Sequence, residues 1–150
     1  MYSHRMARVR ARLQELGVDV LMLSIGADLP WLTGYEALET ERLTMLVLPR
    51  EGDATLVVPR LEAARVEEQP KVFSIVAWDE TEDPIAIVAG LAGAANTVAI
   101  GDHTWARFLL DLQRALPRAA FRKGSEITAP LRMVKDAAEE IGRASCRERV

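Results

Sequence analysis

Few side chains in this sequence could do chemistry, and their spacing decides what they could do. Two histidines and a scatter of acids invite a metal reading. His4 stands at the start of the chain, and His103 follows Asp102 in GDH at residues 101–103. Neither has a partner at the spacing of HExxH or of a zinc ribbon. Asp79, Glu80, Glu82 and Asp83 crowd one segment, but not at the spacing of a calcium loop. They read as a solvated loop that ends in a helix cap. Ser24 and Ser74 lie outside any GxSxG elbow. Gly26, Gly34 and Gly101 are isolated and form no phosphate-binding loop. From spacing alone the chain therefore offers no catalytic residue and no metal ligand.

The aromatic residues are more informative. Trp31, Tyr35, Trp78 and Trp105 each follow or end an expected strand. In open α/β sheets ligands collect beyond the carboxyl ends of the strands. An aromatic rim there could hold an apolar group, dock a second domain, or simply pack against a helix. Arg42, Arg60 and Arg107 are expected in the same region, where they could meet carboxylates.

These groups need a scaffold, and the composition allows one. The chain has 150 residues, enough for one domain with a core, and 49% hydrophobic with 27% charged residues is a globular mix. A net charge of −3 gives no basic excess for nucleic acid. The arginines of the first segment are not interleaved with stacking aromatics, which also argues against a nucleic-acid groove. The lone Cys146 cannot form an internal disulfide, so a reducing, cytoplasmic setting is expected. No apolar run is long enough for a membrane span.

The scaffold is organised around VDVLML at residues 18–23, an apolar run interrupted by Asp19 alone. Such a run reads as a strand buried on both faces. Before it, Met6, Val9, Leu13 and Leu16 recur at helical spacing, with Arg5, Arg8, Arg10 and Arg12 on a face expected to be wet. Gly17 is the expected C-cap, and Ser3 a possible N-cap. The aromatic WLTGY at residues 31–35 is expected as a loop. TMLVLP and ATLVVP around REGD form a β-hairpin, with Gly52 suited to a left-handed turn. A short helix is expected over residues 60–69, a strand over 72–78, and a helix from Pro84 capped by Asp83. A strand over 97–100 and a helix near Thr104 come next. A short strand over 119–121 follows, then a helix started by Pro130. The sum is an α/β chain: three layers, α/β/α, with a mixed, mostly parallel sheet of about six strands containing one hairpin.

The last stretch, EIGRASCRERV, has no apolar period and resembles the translation of a sequencing-adapter oligonucleotide. Residues 141–150 are therefore expected to be a non-native tail, and Cys146 goes with them.

In order along the chain, VDVLML, PWLTGY, the hairpin pair, WDE, TVAIGD and LRMVKDAAE resemble the N-terminal domain of the creatinase/prolidase family. That family includes Xaa-Pro dipeptidases and aminopeptidase P. In its Asn-x-x-Tyr-Leu-Thr-Gly-like segment, Asp28 here takes the asparagine position and Trp31 the tyrosine. The resemblance implies a ribonuclease H-like motif over residues 1–130. Residues 131–140 would begin a linker helix to a catalytic domain that this chain lacks. That domain would hold two divalent metal ions, manganese or cobalt, and cut proline-containing peptides. A two-metal hydrolase needs convergent ligands about 3.5–4 Å across the metals, and none of the family's ligand positions falls within this chain. The role implied here is non-catalytic: to help form a homodimer and to shape the substrate cleft. Trp31, Tyr35, Trp78 and Arg107 are the cleft or interface candidates. With the last helix lacking its usual neighbour, it is expected to be loosely held, with Leu131 and Val134 in self-contacts. The alternative is a standalone regulatory domain that binds a small ligand at the strand ends, through Trp31 and Trp105.

Overall fold

A computed structural model describes residues 1–135. Residues 136–150 lie outside the described residues, and with them the expected tail and half of the expected linker helix.

The run at residues 18–23 forms β1 (Val20–Leu23), buried at every position. It sits in the middle of a sheet ordered β4-β3-β2-β1-β5-β6 among the described residues. The other strands are β2 (Met45–Pro49), β3 (Thr55–Pro59), β4 (Ser74–Trp78), β5 (Thr97–Ile100) and β6 (Ala120–Lys123). β2 runs antiparallel to both β1 and β3, while β1–β5, β3–β4 and β5–β6 are parallel. β2 is thus the single reversed strand, antiparallel to both of its neighbours, in an otherwise parallel sheet among the described residues.

The side-chain period of two splits each strand between two cores. Leu21, Leu23, Leu46, Leu48, Leu56, Val58 and Ala99 face one layer. That layer is built from α1 (Tyr2–Leu16), α2 (Asp28–Thr33), α3 (Arg60–Ala63) and α6 (Ser125–Met133). Val20, Met22, Met45, Val47, Val57, Val98 and Ile100 face α4 (Pro84–Ala92) and α5 (Ala106–Ala115) on the other side. The expected three-layer arrangement is therefore present.

Local signals held where they were strong. Gly17 closes α1 at φ 66, Gly52 turns the hairpin at φ 107, and Asp83 caps α4 by accepting from the Ile85 amide at 3.0 Å. Several expectations are corrected. The 31–35 segment is not a loop: α2 ends at Thr33, and Gly34 takes the left-handed C-cap at φ 77. A Cβ there would also lie 2.8 Å from the Tyr2 hydroxyl. The helix expected over 60–69 stops after one turn. The chain then turns so that Val72 and Phe73 both donate to the Gln69 carbonyl, while the Gln69 side chain reaches Thr33 O. α1 starts at Tyr2 without a side-chain cap from Ser3, and α5 starts after Trp105 without one from Thr104. Pro130 does not start a helix but lies inside α6, which begins five residues earlier.

The face of α1 expected to be wet is largely occupied. Arg5 is 4% exposed, donates to the Trp31 carbonyl at 2.8 Å and lies 5.4 Å over the Trp31 ring. Its flat guanidinium satisfies a carbonyl at its edge and an aromatic at its face. Arg8 reaches Leu131 O, and Arg10 reaches Gly52 O.

Candidate functional site

β1 and β5 are parallel neighbours whose chains leave in opposite directions. After β1 the chain enters α2 on one layer; after β5 it enters α5 on the other. This is a topological switch point, where open α/β sheets leave a crevice beyond the strand ends. Here the crevice is about 130 Å³, bounded by Ser24, Asp28, Asp102, His103, Thr128 and Arg132.

Most of its polar groups are spent on each other. The Asp28 carboxylate accepts from Thr128 Oγ1 at 2.7 Å and from Arg132 Nη1 at 2.9 Å, tying α2 to α6. Asp102 accepts from the Ser125 amide at 3.1 Å and so caps the start of α6. Ser24 Oγ donates to Thr44 O at 2.7 Å. The His103 ring covers Gly26, where a Cβ would lie 3.2 Å away. Next to the lining residues Gly101 and Ser125, the Gly124 amide donates to Ile100 O at 2.6 Å, an approach that leaves no room for a side chain. Among the described residues no group of three or more His, Cys, Asp and Glu could hold a metal ion. The two-metal centre that the resemblance implies does not fit these residues: Asp102 already faces an amide, and Asp28 a hydroxyl and a guanidinium.

The four aromatic and arginine candidates fall in separate places. Trp31 is half-buried on α2 under Arg5. Tyr35 is 6% exposed in the same layer. Burial pushes its phenol pKa up, Glu62 adds to this and Arg65 opposes it. Trp78 is buried in the opposite core and donates Nε1–H to Leu43 O at 2.9 Å. Arg107 is exposed, 5.6 Å from the Phe108 ring. Neither Trp31 nor Trp105 lines the crevice. Arg42 and Arg60 do meet carboxylates, those of Glu80 and Asp79. Each guanidinium pKa is raised first by its hydrogen bond to that partner. The residue that spacing missed is Asp28. Its signal was its place two residues before PWLTGY, at the asparagine position of the segment that carries the resemblance, and its partners lie about a hundred residues away.

A family model described as the creatinase/prolidase N-terminal domain matches residues 5–134. A curated relative, the probable dipeptidase PepE of Mycobacterium tuberculosis, is 34% identical over 146 residues, covering 93% of this chain. The chain spans 38% of that relative's length. The crystal structure of dipeptidase PepE from Mycobacterium ulcerans aligns with a TM-score of 0.83 at 36% identity, over 92% of this chain and 38% of that one. The creatinase/prolidase N-terminal domain of an X-Pro dipeptidase from Streptococcus pyogenes aligns with a TM-score of 0.73 at 21% identity. That alignment covers 88% of this chain and 99% of the solved one, and it shows the fold alone. No helix of the described residues is long and apolar enough to cross a membrane.

Proposed function

The chain belongs to the creatinase/prolidase N-terminal domain family, and from that premise we propose that it is the non-catalytic domain of a cytoplasmic Xaa-Pro peptidase-like metallohydrolase. In this reading its roles are to support a homodimer and to shape the cleft that receives a proline-containing peptide. In this reading the two divalent metal ions, manganese or cobalt, belong to a catalytic part that this chain does not span. The observation that carries the reading is the family match over nearly the whole described chain, against relatives that are dipeptidases of more than twice its length.

Within that reading Trp31 is the candidate cleft residue, because Arg5 holds it half-buried at the strand-end side of the domain. Tyr35 is a buried support in the same layer as Trp31, and Trp78 is a buried support in the opposite one. Arg107 is exposed and available to a partner.

The test is hydrolysis of Xaa-Pro dipeptides by the 150-residue chain with manganese or cobalt added. No turnover is expected. Activity that survives repurification and scales with this chain refutes the reading. The competing reading, a standalone small-ligand domain, is favoured only by the crevice at the β1 and β5 ends. Saturable tryptophan quenching by a metabolite would carry it instead.

A further inference from the structure

Residues 84–95, PIAIVAGLAGAA, contain no charged side chain and no side-chain hydrogen-bonding group. A helix that is apolar all round is normally buried all round. α4 is not: Val88 is its one fully buried residue. Ile85, Ala89 and Ala92 face the core beside it, at helical spacing. The opposite side, Ala86, Gly90, Leu91 and then Gly93 and Ala94, is exposed. A Cβ built at Gly90 meets nothing within 4 Å. On α5, which packs beside α4, Leu110 is 63% exposed. Apolar surface gathered on one face marks an interaction site.

We propose that the outer face of α4 is a self-association surface, closed by α4 of a second copy running antiparallel to it. The inference rests on the dimer reading above and says which surface serves it. Three observations select a second copy. α6, the last described helix, packs on the other side of the sheet and does not cover α4. The two ends of α4 carry opposite charge: Glu82 and Asp83 precede it, and Arg118 lines the hollow at its far end with Gly93 and Ala94. An antiparallel two-fold pairing sets Arg118 of each copy toward the acidic end of the other and opposes the two helix dipoles. Ala86 and Gly90, one turn apart, also let the two backbones approach closely, which bulkier residues would prevent.

The surface is small. Nine residues make a helix about 13 Å long, and a stable interface buries about 800 Å² per partner. Contact must therefore spread onto α5 around Leu110, and association of this chain alone should be weak, in the micromolar range.

Sedimentation of the 150-residue chain over a concentration series tests this, with Gly90→Arg and Arg118→Glu as variants. Gly90→Arg puts a long charged side chain into open space on a helix and improves helix propensity, so the fold should survive. Circular dichroism and melting check that it does. The wild type should dimerise. Gly90→Arg should abolish this, and Arg118→Glu should weaken it about tenfold, a difference that sedimentation resolves. As an independent readout, Gly90→Cys in a Cys146→Ser background should oxidise to a disulfide-linked dimer. A dimer indifferent to Gly90→Arg overturns the α4 surface and leaves the dimer reading standing. A wild type that stays monomeric throughout overturns both.

Discussion

Removing the Asp28 carboxylate should loosen α6 from α2 and leave the sheet intact. Asp28→Ala deletes two contacts at once, one from Thr128 Oγ1 and one from Arg132. The first is a hydrogen bond to a charged group on a mostly buried side chain, worth about 1.5–3 kcal/mol. The second involves an Arg132 side chain that is 42% exposed, so screening leaves it only about 0.2–1 kcal/mol. The expected loss is about 2 kcal/mol, because Thr128 keeps a second acceptor in Gly124 O. For a chain of this size that lowers Tm by about 4–8 °C. Thr128→Val closes a double-mutant cycle, which should show a coupling of about 1–2 kcal/mol. Hydrogen exchange supplies the spatial test: amides of α6 should exchange faster while those of β1 and β5 stay protected. Additivity within about 0.5 kcal/mol, or uniform loss of protection across the sheet, would refute the idea that this carboxylate joins the two helices.

Two further substitutions probe the same layers. Gly124→Ala should cost about 1–3 kcal/mol in urea unfolding, because the new Cβ would lie 2.9 Å from the Ile100 carbonyl oxygen. The same exchange at Gly90, where nothing lies within 4 Å, should stabilise by about 1 kcal/mol, and equal effects at both sites would remove the steric argument. Tyr35→Phe should leave Tm unchanged or raise it slightly, since the buried hydroxyl has no hydrogen-bond partner among the described residues. It should also flatten the alkaline limb. The folded phenol pKa lies above the unfolded value of 10.0, so its contribution is complete below that pH and falls as pH rises through the folded value. An alkaline slope that is the same in wild type and Tyr35→Phe would contradict this.

Elements with a strong local signal were legible in the sequence. β1 is an apolar run, the hairpin a pair of runs around a glycine turn, and α4 starts with a proline behind a capping aspartate. Illegible were the elements held by distant partners. α2 is a six-residue helix, too short to persist alone. It stands because Leu29 and Leu32 are fully buried and Arg5 grips its carbonyl end. The helix expected at 60–69 failed for the converse reason: Val66 and Phe73 are buried and Gln69 is drawn to Thr33, which bends the chain away after one turn. Periodicity rightly put Arg5 among the polar positions of α1, but it could not show that α2 would cover that position. The crevice was legible only as a location beyond the strand ends. Its central aspartate depends on residues 100 and 104 positions later.

The layer that carries α1, α2 and α6 is sewn together by arginines that end on main-chain oxygen. Arg5 reaches Trp31, Arg8 reaches Leu131, and Arg122 reaches Leu16. A peptide oxygen bears no formal charge and takes up no proton in mild acid. Ionic strength acts mainly on paired charges, so brine should leave these three stitches in place and loosen the exposed links from Arg42 and Arg60 to the 79–80 loop first.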